Sequence, residues 1–85
     1  MTKEQILSRA MGIGLRSARV AHHLYQNEVA KMMIGQLVRS SSSIGANYSA
    51  ACLAKSPRDF INKLKIVEEE ADETLYWLNY IEKAG

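Results

Sequence analysis

The longest regular pattern in this sequence runs from Ile34 to Cys52 and passes through four consecutive serines, Ser40–Ser43. Serine favours helix ends and turns because its hydroxyl competes for backbone hydrogen bonds. The helical period nevertheless continues without a change of phase through Ile34, Leu37, Val38, Ser41, Ile44, Gly45, Tyr48, Ala51 and Cys52. A hinge would shift that phase, so the pattern predicts one helix with the serines at its middle. Only Ser41 is expected on the core side, bonded to the carbonyl four residues earlier.

Two further helices are predicted from their start signals. Thr2 and Gln5 have the spacing of a capping box, and Ser56, Pro57 and Asp59 are typical of a helix N-terminus. Long helices joined by short connections predict an all-α, up-down antiparallel bundle. The expected helices occupy about residues 2–25, 29–54 and 57–84, within a single domain, 1–85.

Apolar stripes are predicted on the two outer helices. The first helix carries two adjacent stripes: Ile6, Ala10, Ile13, Ser17, Val20 and Leu24, and Leu7, Met11, Gly14, Ala18, Ala21 and Tyr25. The third carries Phe60, Leu64, Val67, Ala71, Thr74, Leu78 and Ile81. The stripes of the first helix become small at their centre, which predicts close approach of another helix there.

The chain is short for the amount of apolar surface that it must cover. Of its 85 residues, 47% are hydrophobic, and a chain of this size buries only about two thirds of its unfolded surface. Tyr76, Trp77 and Tyr80 lie off the core stripe, so that part of the third helix is apolar nearly all round. We therefore predict a homo-oligomer in which another helix or subunit covers these three side chains.

The stretch "RSSSSIGANYSAAC", followed by "KSPRDFINKLKIVEEEADETLYWL", resembles the bacterial four-helix-bundle family encoded by intervening sequences in 23S ribosomal RNA genes. The match is close over roughly residues 35–80 and looser in the first helix. Several linked motifs at the correct separations carry it: Arg39-Ser40, Ser43–Asn47, Ser56 with Asp59–Ile61, and Glu70–Leu78. Ala50 departs from the family's usual Glu, and Ser49 from its frequent basic residue.

The resemblance implies an antiparallel bundle that assembles into a ring-like homopentamer. It also implies a protein without enzymatic activity that associates with ribosomal RNA or ribosomes. The family pattern continues into a fourth helix, and the present sequence holds three. We therefore expect a neighbouring chain or a further segment to fill the fourth position.

Basic residues are concentrated in the first half of the chain. Residues 1–45 include six basic and two acidic side chains, whereas residues 46–85 include five basic and seven acidic ones. A basic first half is compatible with nucleic-acid contact. The candidate phosphate-contacting residues are Arg9, Arg16, Arg19, Lys31 and Arg39. A solvated basic surface without a partner is the alternative interpretation.

A polar seam is predicted beside the apolar face of the second helix, formed by Gln36, Ser40, Ser43 and Asn47. One interpretation is hydrogen bonding across a helix or subunit boundary. The other is contact with a ligand or RNA.

The sequence contains only weak signals for a catalytic or metal-binding site. The acidic run between positions 68 and 73 lacks the Glu-x-x-His pairs of di-metal bundles, and adjacent His22 and His23 point about 100° apart on a helix. Gly12–Gly14 lacks the strand that precedes a dinucleotide-binding turn. We expect no enzyme activity, cofactor or metal site.

The cysteine content and hydropathy of the chain predict its location. A single cysteine and no apolar run of about 20 residues favour the cytoplasm without membrane contact.

Two functions from different classes remain open. One is a self-assembling scaffold associated with RNA or ribosomes through the basic face. The other is an oligomeric protein-interaction module that binds no nucleic acid. Salt-dependent RNA binding distinguishes them, because phosphate contacts weaken steeply as salt rises.

Overall fold

The computed structural model describes residues 1–24 and 28–84, which contain three helices and no strand. These are α1 (Lys3–Leu24), α2 (Glu28–Cys52) and α3 (Pro57–Ala84). The prediction of an all-helical chain is confirmed. The predicted bounds differ from the observed ones by at most two residues, except that the expected end of the first helix at residue 25 lies outside the described residues.

The helix starts follow the predicted capping chemistry. The amide of Thr2 donates to Gln5 Oε1 at 2.8 Å, and the amide of Gln5 donates to Thr2 Oγ1 at 3.1 Å, which is the reciprocal pair of a capping box. At the start of α3, the amide of Asp59 donates to Ser56 Oγ at 3.1 Å. Each cap satisfies backbone donors that have no partner within the helix.

Helix α2 is the central element, because it packs against both α1 and α3, whereas α1 and α3 do not contact each other within the described ranges. The molecule measures 44 × 20 × 17 Å, so its long axis matches one helix of 28 residues at about 1.5 Å per residue. Adjacent helices therefore run antiparallel. The result is an open three-helix arrangement.

The contact between α1 and α2 is made by small residues. A Cβ atom added at Gly14 would lie 3.3 Å from the Cα atom of Ser42, and one added at Gly45 would lie 3.5 Å from Ala10 Cβ. Ala10, Ser17 and Ala21 of α1 are also buried. These observations agree with the expected close approach, since residues without bulky side chains let two helix backbones come near each other.

The predicted stripes of α1 are wider than the surface that α2 covers. Met11 is 66% exposed, and Ile13, Ala18 and Val20 are exposed as well. Leu78 of the α3 stripe is likewise exposed. The stripe positions of these five side chains are therefore not core positions within the chain, because α2 buries a different set, Ala10, Ser17 and Ala21 of α1 and Thr74 of α3.

The centre of α2 forms the core and runs as one helix through all four serines, as expected. Leu37, Ser40 and Ser41 are fully buried. The prediction that Ser41 alone faces the core was wrong, because α3 covers the side of α2 that carries Ser40. Ser41 Oγ donates to the Val38 carbonyl, three residues earlier rather than four, at 3.3 Å.

Candidate interaction surfaces

A polar contact joins α2 to α3. Arg39 Nη1 donates to Glu70 Oε2 at 3.2 Å, and the same guanidinium is paired with Glu73. Arg39 Nε also donates to Gln36 Oε1 at 3.3 Å. Two carboxylates of α3 thus balance the charge of Arg39, whose side chain remains 46% exposed.

Each of the four residues of the predicted polar seam makes at least one side-chain hydrogen bond within the chain. Ser40 Oγ donates to the Leu37 carbonyl at 3.2 Å and lies 3.1 Å from the Thr74 hydroxyl. Ser43 Oγ donates to the Arg39 carbonyl at 2.7 Å, and Asn47 Nδ2 donates to the Ser43 carbonyl at 2.9 Å. The seam reaches α3 through Ser40, whereas Gln36, Ser43 and Asn47 make hydrogen bonds within α2.

Three of the five candidate phosphate-contacting residues lie together on α1. Arg9, Arg16 and Arg19 are all exposed, and positions seven and three residues apart share one side of a helix. Arg16 Nε donates to the Gly12 carbonyl at 3.4 Å. This arginine row faces away from the small residues that meet α2.

The other two candidates lie elsewhere, so the five do not form one face. Lys31 and Arg39 are on α2, and both line an open groove between α1 and α2. The groove has a volume of about 800 Å³ and is lined mainly by apolar atoms. Its lining residues are Ala18, Ala21, His22, Lys31, Ile34, Gly35, Val38 and Arg39. The sequence analysis did not predict this groove. Gly35 was a signal for it, because a glycine inside a helix, where no turn requires one, leaves space beside the backbone.

The three aromatic residues near the end of α3 form a cluster. The ring centroids of Tyr76 and Trp77 lie 5.0 Å apart in an edge arrangement, and Tyr80 is 6.0 Å from Tyr76 and 5.5 Å from Trp77. Tyr76 is 56% exposed and Tyr80 44%, whereas Trp77 is half-buried. The cluster therefore presents a large aromatic surface on the single chain, and its role as an oligomer interface stays a prediction.

Among the residues that the structure describes, Tyr48 and Asp59 have shifted pKa values. Burial raises the pKa of the Tyr48 hydroxyl, and the neighbouring Cys52 thiol and the Glu4 carboxylate raise it further. A hydrogen bond from Lys63 lowers the pKa of Asp59. The shift at Tyr48 favours the neutral phenol, which is the opposite of what an activated nucleophile needs.

Within residues 1–24 and 28–84, no three His, Cys, Asp or Glu side chains come together in a way that would hold a metal ion. None of the described helices is long and apolar enough to cross a membrane.

Comparison with known proteins identifies the family. The sequence model of the 23S rRNA-intervening sequence protein family matches residues 2–85. A solved structure from Bacteroides thetaiotaomicron VPI-5482, described as a protein of unknown function from the S23 ribosomal protein family, is 34% identical. It superposes with a TM-score of 0.89 over 99% of the present chain and 75% of its own. No curated protein sequence matches. These findings confirm the resemblance seen in the motifs, and the chain belongs to the 23S rRNA-intervening sequence protein family.

Proposed function

We propose that this protein is a non-enzymatic, self-assembling helical bundle that binds ribosomal RNA through the arginine row of α1. The family description supplies the ribosomal RNA context. The observation that carries the proposal is the row itself: Arg9, Arg16 and Arg19 share the exposed side of a helix whose only acidic residue is Glu4. Phosphate contacts from such side chains supply most of the sequence-independent affinity for nucleic acid.

The surface of the isolated chain supports self-assembly. Its accessible area is 6153 Å², compared with about 5,000 Å² for a compact monomer of 9.5 kDa. Its radius of gyration of 14.0 Å exceeds the roughly 12 Å of a compact chain of this length. Exposed apolar side chains on all three helices, among them Met11, Met32 and Leu75, contribute to this excess. Burying them between copies removes the cost of exposing them to water.

Assembly also bears on RNA affinity. A single chain offers three arginines in the row, which is few for useful binding at physiological salt. A ring-like pentamer, the state that the family resemblance implies, repeats the row five times on one particle. Repeated weak contacts on a single RNA strengthen overall binding without any new interaction. In this proposal Arg39 contributes less, because Glu70 and Glu73 already balance its charge.

An oligomeric protein-interaction module without RNA binding is the second candidate. The exposed apolar side chains favour it, since large apolar surface at the outside of a protein marks contact with other proteins. On this candidate the arginine row is a solvated surface that confers solubility.

RNA binding tests the proposal. The fluorescence anisotropy of a labelled hairpin copied from 23S ribosomal RNA is measured with wild-type protein at about 50 and about 200 mM salt. We expect binding that weakens as salt rises, and we expect Arg16→Glu with Arg19→Glu to abolish it. The control is Arg58→Glu with Lys65→Glu, which makes the same charge change on exposed positions of α3. Absence of wild-type binding at the lower salt supports the protein-interaction module instead.

A further inference from the structure

We propose that the groove between α1 and α2 of one copy binds the aromatic cluster of α3 of a second copy. This inference rests on the self-assembly proposed above and names the two surfaces that meet. The cluster is Tyr76, Trp77 and Tyr80. The groove is the one lined by Ala18, Gly35 and Val38.

The groove has the room and the chemistry to receive apolar side chains. A Cβ atom added at Gly35 meets no other atom within 4 Å, so the centre of the groove is empty within the chain. Ala18 and Ala21 form one wall, and Ile34 and Val38 complete an apolar lining. Filling it with the aromatic side chains of a partner would bury apolar surface on both copies.

The cluster is suited to insertion. Its rings contact one another at centroid distances of 5.0 to 6.0 Å, so they are held in place before binding. A preorganised surface loses less conformational freedom on association. Aromatic side chains are also enriched among the residues that dominate binding energy at protein interfaces.

Charge is complementary between the two surfaces. Lys31 contributes a positive charge to the groove, whereas the charge of Arg39 is already balanced by Glu70 and Glu73 of the same chain. Glu69 and Asp72 are exposed on α3, seven and four residues before Tyr76, and therefore lie on the same side of the helix. Docking the cluster brings these carboxylates toward Lys31. Opposite charges at the margin of an interface fix its register and speed association.

The contact is head to tail, because the groove belongs to α1 and α2 whereas the cluster belongs to α3. When two copies meet in this way, one groove and one cluster are occupied, and the pair still has one free groove and one free cluster. Repetition then closes a ring or extends a filament. A contact between two α3 clusters would instead use the same surface twice and would stop at a dimer.

Two variants that each block one surface test this arrangement. Gly35→Leu fills the groove, and it should fold because the added Cβ meets no atom and leucine favours helix more than glycine. Tyr76→Glu with Tyr80→Glu removes the cluster. Gly12→Leu is the matched control, since a Cβ at Gly12 also meets nothing within 4 Å but lies outside the groove. Circular dichroism establishes that each variant is folded, and native mass spectrometry measures its mass.

We expect each blocked variant alone to lose assembly and Gly12→Leu to assemble like wild type. Mixed together, the two blocked variants retain one intact groove and one intact cluster. We therefore expect a one-to-one heterodimer of twice the 9.5 kDa chain mass. If wild type assembles and folded Gly35→Leu assembles equally well, the groove proposal is wrong while self-assembly stands. If wild type is a monomer, self-assembly itself fails. If the mixture yields no heterodimer, the cluster meets some other surface.

Discussion

The hydroxyl oxygens of Ser40 in α2 and Thr74 in α3 lie 3.1 Å apart, and neither side chain is more than 4% exposed. Thr74 Oγ1 donates either to Ser40 or to the Glu70 carbonyl, which is 2.8 Å away. Ser40 also bonds to the Leu37 carbonyl of its own helix. The second and third helices thus meet through small hydroxyl-bearing side chains at the centre of the chain.

This geometry predicts different costs for two substitutions. Thr74→Val keeps the shape and leaves Ser40 bonded to Leu37, so we expect a loss of about 1 kcal/mol in the free energy of unfolding. Ser40→Leu forces extra volume into a fully buried position, so we expect the free energy of unfolding to fall by about 1–3 kcal/mol. Urea denaturation at one fixed protein concentration measures both. Equal, negligible effects would contradict the close packing of α2 on α3.

The close approach of α1 to α2 predicts that two glycines of one helix respond differently to alanine. Gly12→Ala meets no neighbouring atom and should raise the free energy of unfolding by about 0.5–1 kcal/mol through helix propensity. Gly14→Ala places a Cβ atom 3.3 Å from the backbone of Ser42, so the helices must separate slightly and the gain is lost. Thermal unfolding of the two variants compares them directly. Stabilisation of both by the same amount would show that α1 does not pack this tightly.

The pairing of Arg39 with α3 predicts a small, salt-dependent contribution to stability. Its side chain is 46% exposed, and exposed ion pairs contribute at most about 1 kcal/mol. We expect Arg39→Gln to lower the free energy of unfolding by less than that, and the difference to shrink at about 1 M salt, where screening is strong. Arg39→Gln should also weaken RNA binding less than Arg16→Gln, which removes the same charge. The reverse order would contradict the assignment of Arg39 to the contact with α3.

The hydrogen bond at the start of α3 predicts a pH dependence of stability. Lys63 Nζ donates to both carboxylate oxygens of Asp59, at 2.8 and 2.9 Å, and this lowers the pKa of Asp59. Because the folded pKa is the lower one, the stabilisation is present above the unfolded pKa and is lost as pH falls through the folded value. Wild type should therefore be more stable than Lys63→Met at about pH 6, and the difference should shrink as pH falls through the folded pKa of Asp59. A difference that persists in acid would exclude Asp59 as its source.

Local signals in the sequence were sufficient for the helix starts and for the continuity of α2. Thr2 with Gln5 and Ser56 with Asp59 act within a single turn, so their chemistry does not depend on the rest of the fold. The phase through the serines is a property of one helix. These features could be predicted because no distant residue decides them.

Features that depend on distant residues could not be predicted in the same way. The burial of Ser40 requires α3 to cover a second side of α2, and the acidic partners of Arg39 lie more than thirty residues away along the chain. A periodic pattern identifies which side chains of a helix are apolar, but it does not say whether the chain itself covers them. For that reason Ile13 and Val20 belong to a recognisable stripe and are nevertheless exposed.

Native mass spectrometry of the wild-type chain tests the central claim most directly, because self-assembly underlies both the proposed RNA affinity and the pairing of groove and cluster. The measurement is made over a range of protein concentrations under non-denaturing conditions. We expect one dominant species near five times the 9.5 kDa chain mass. A folded chain that remains at 9.5 kDa at every concentration would contradict the account.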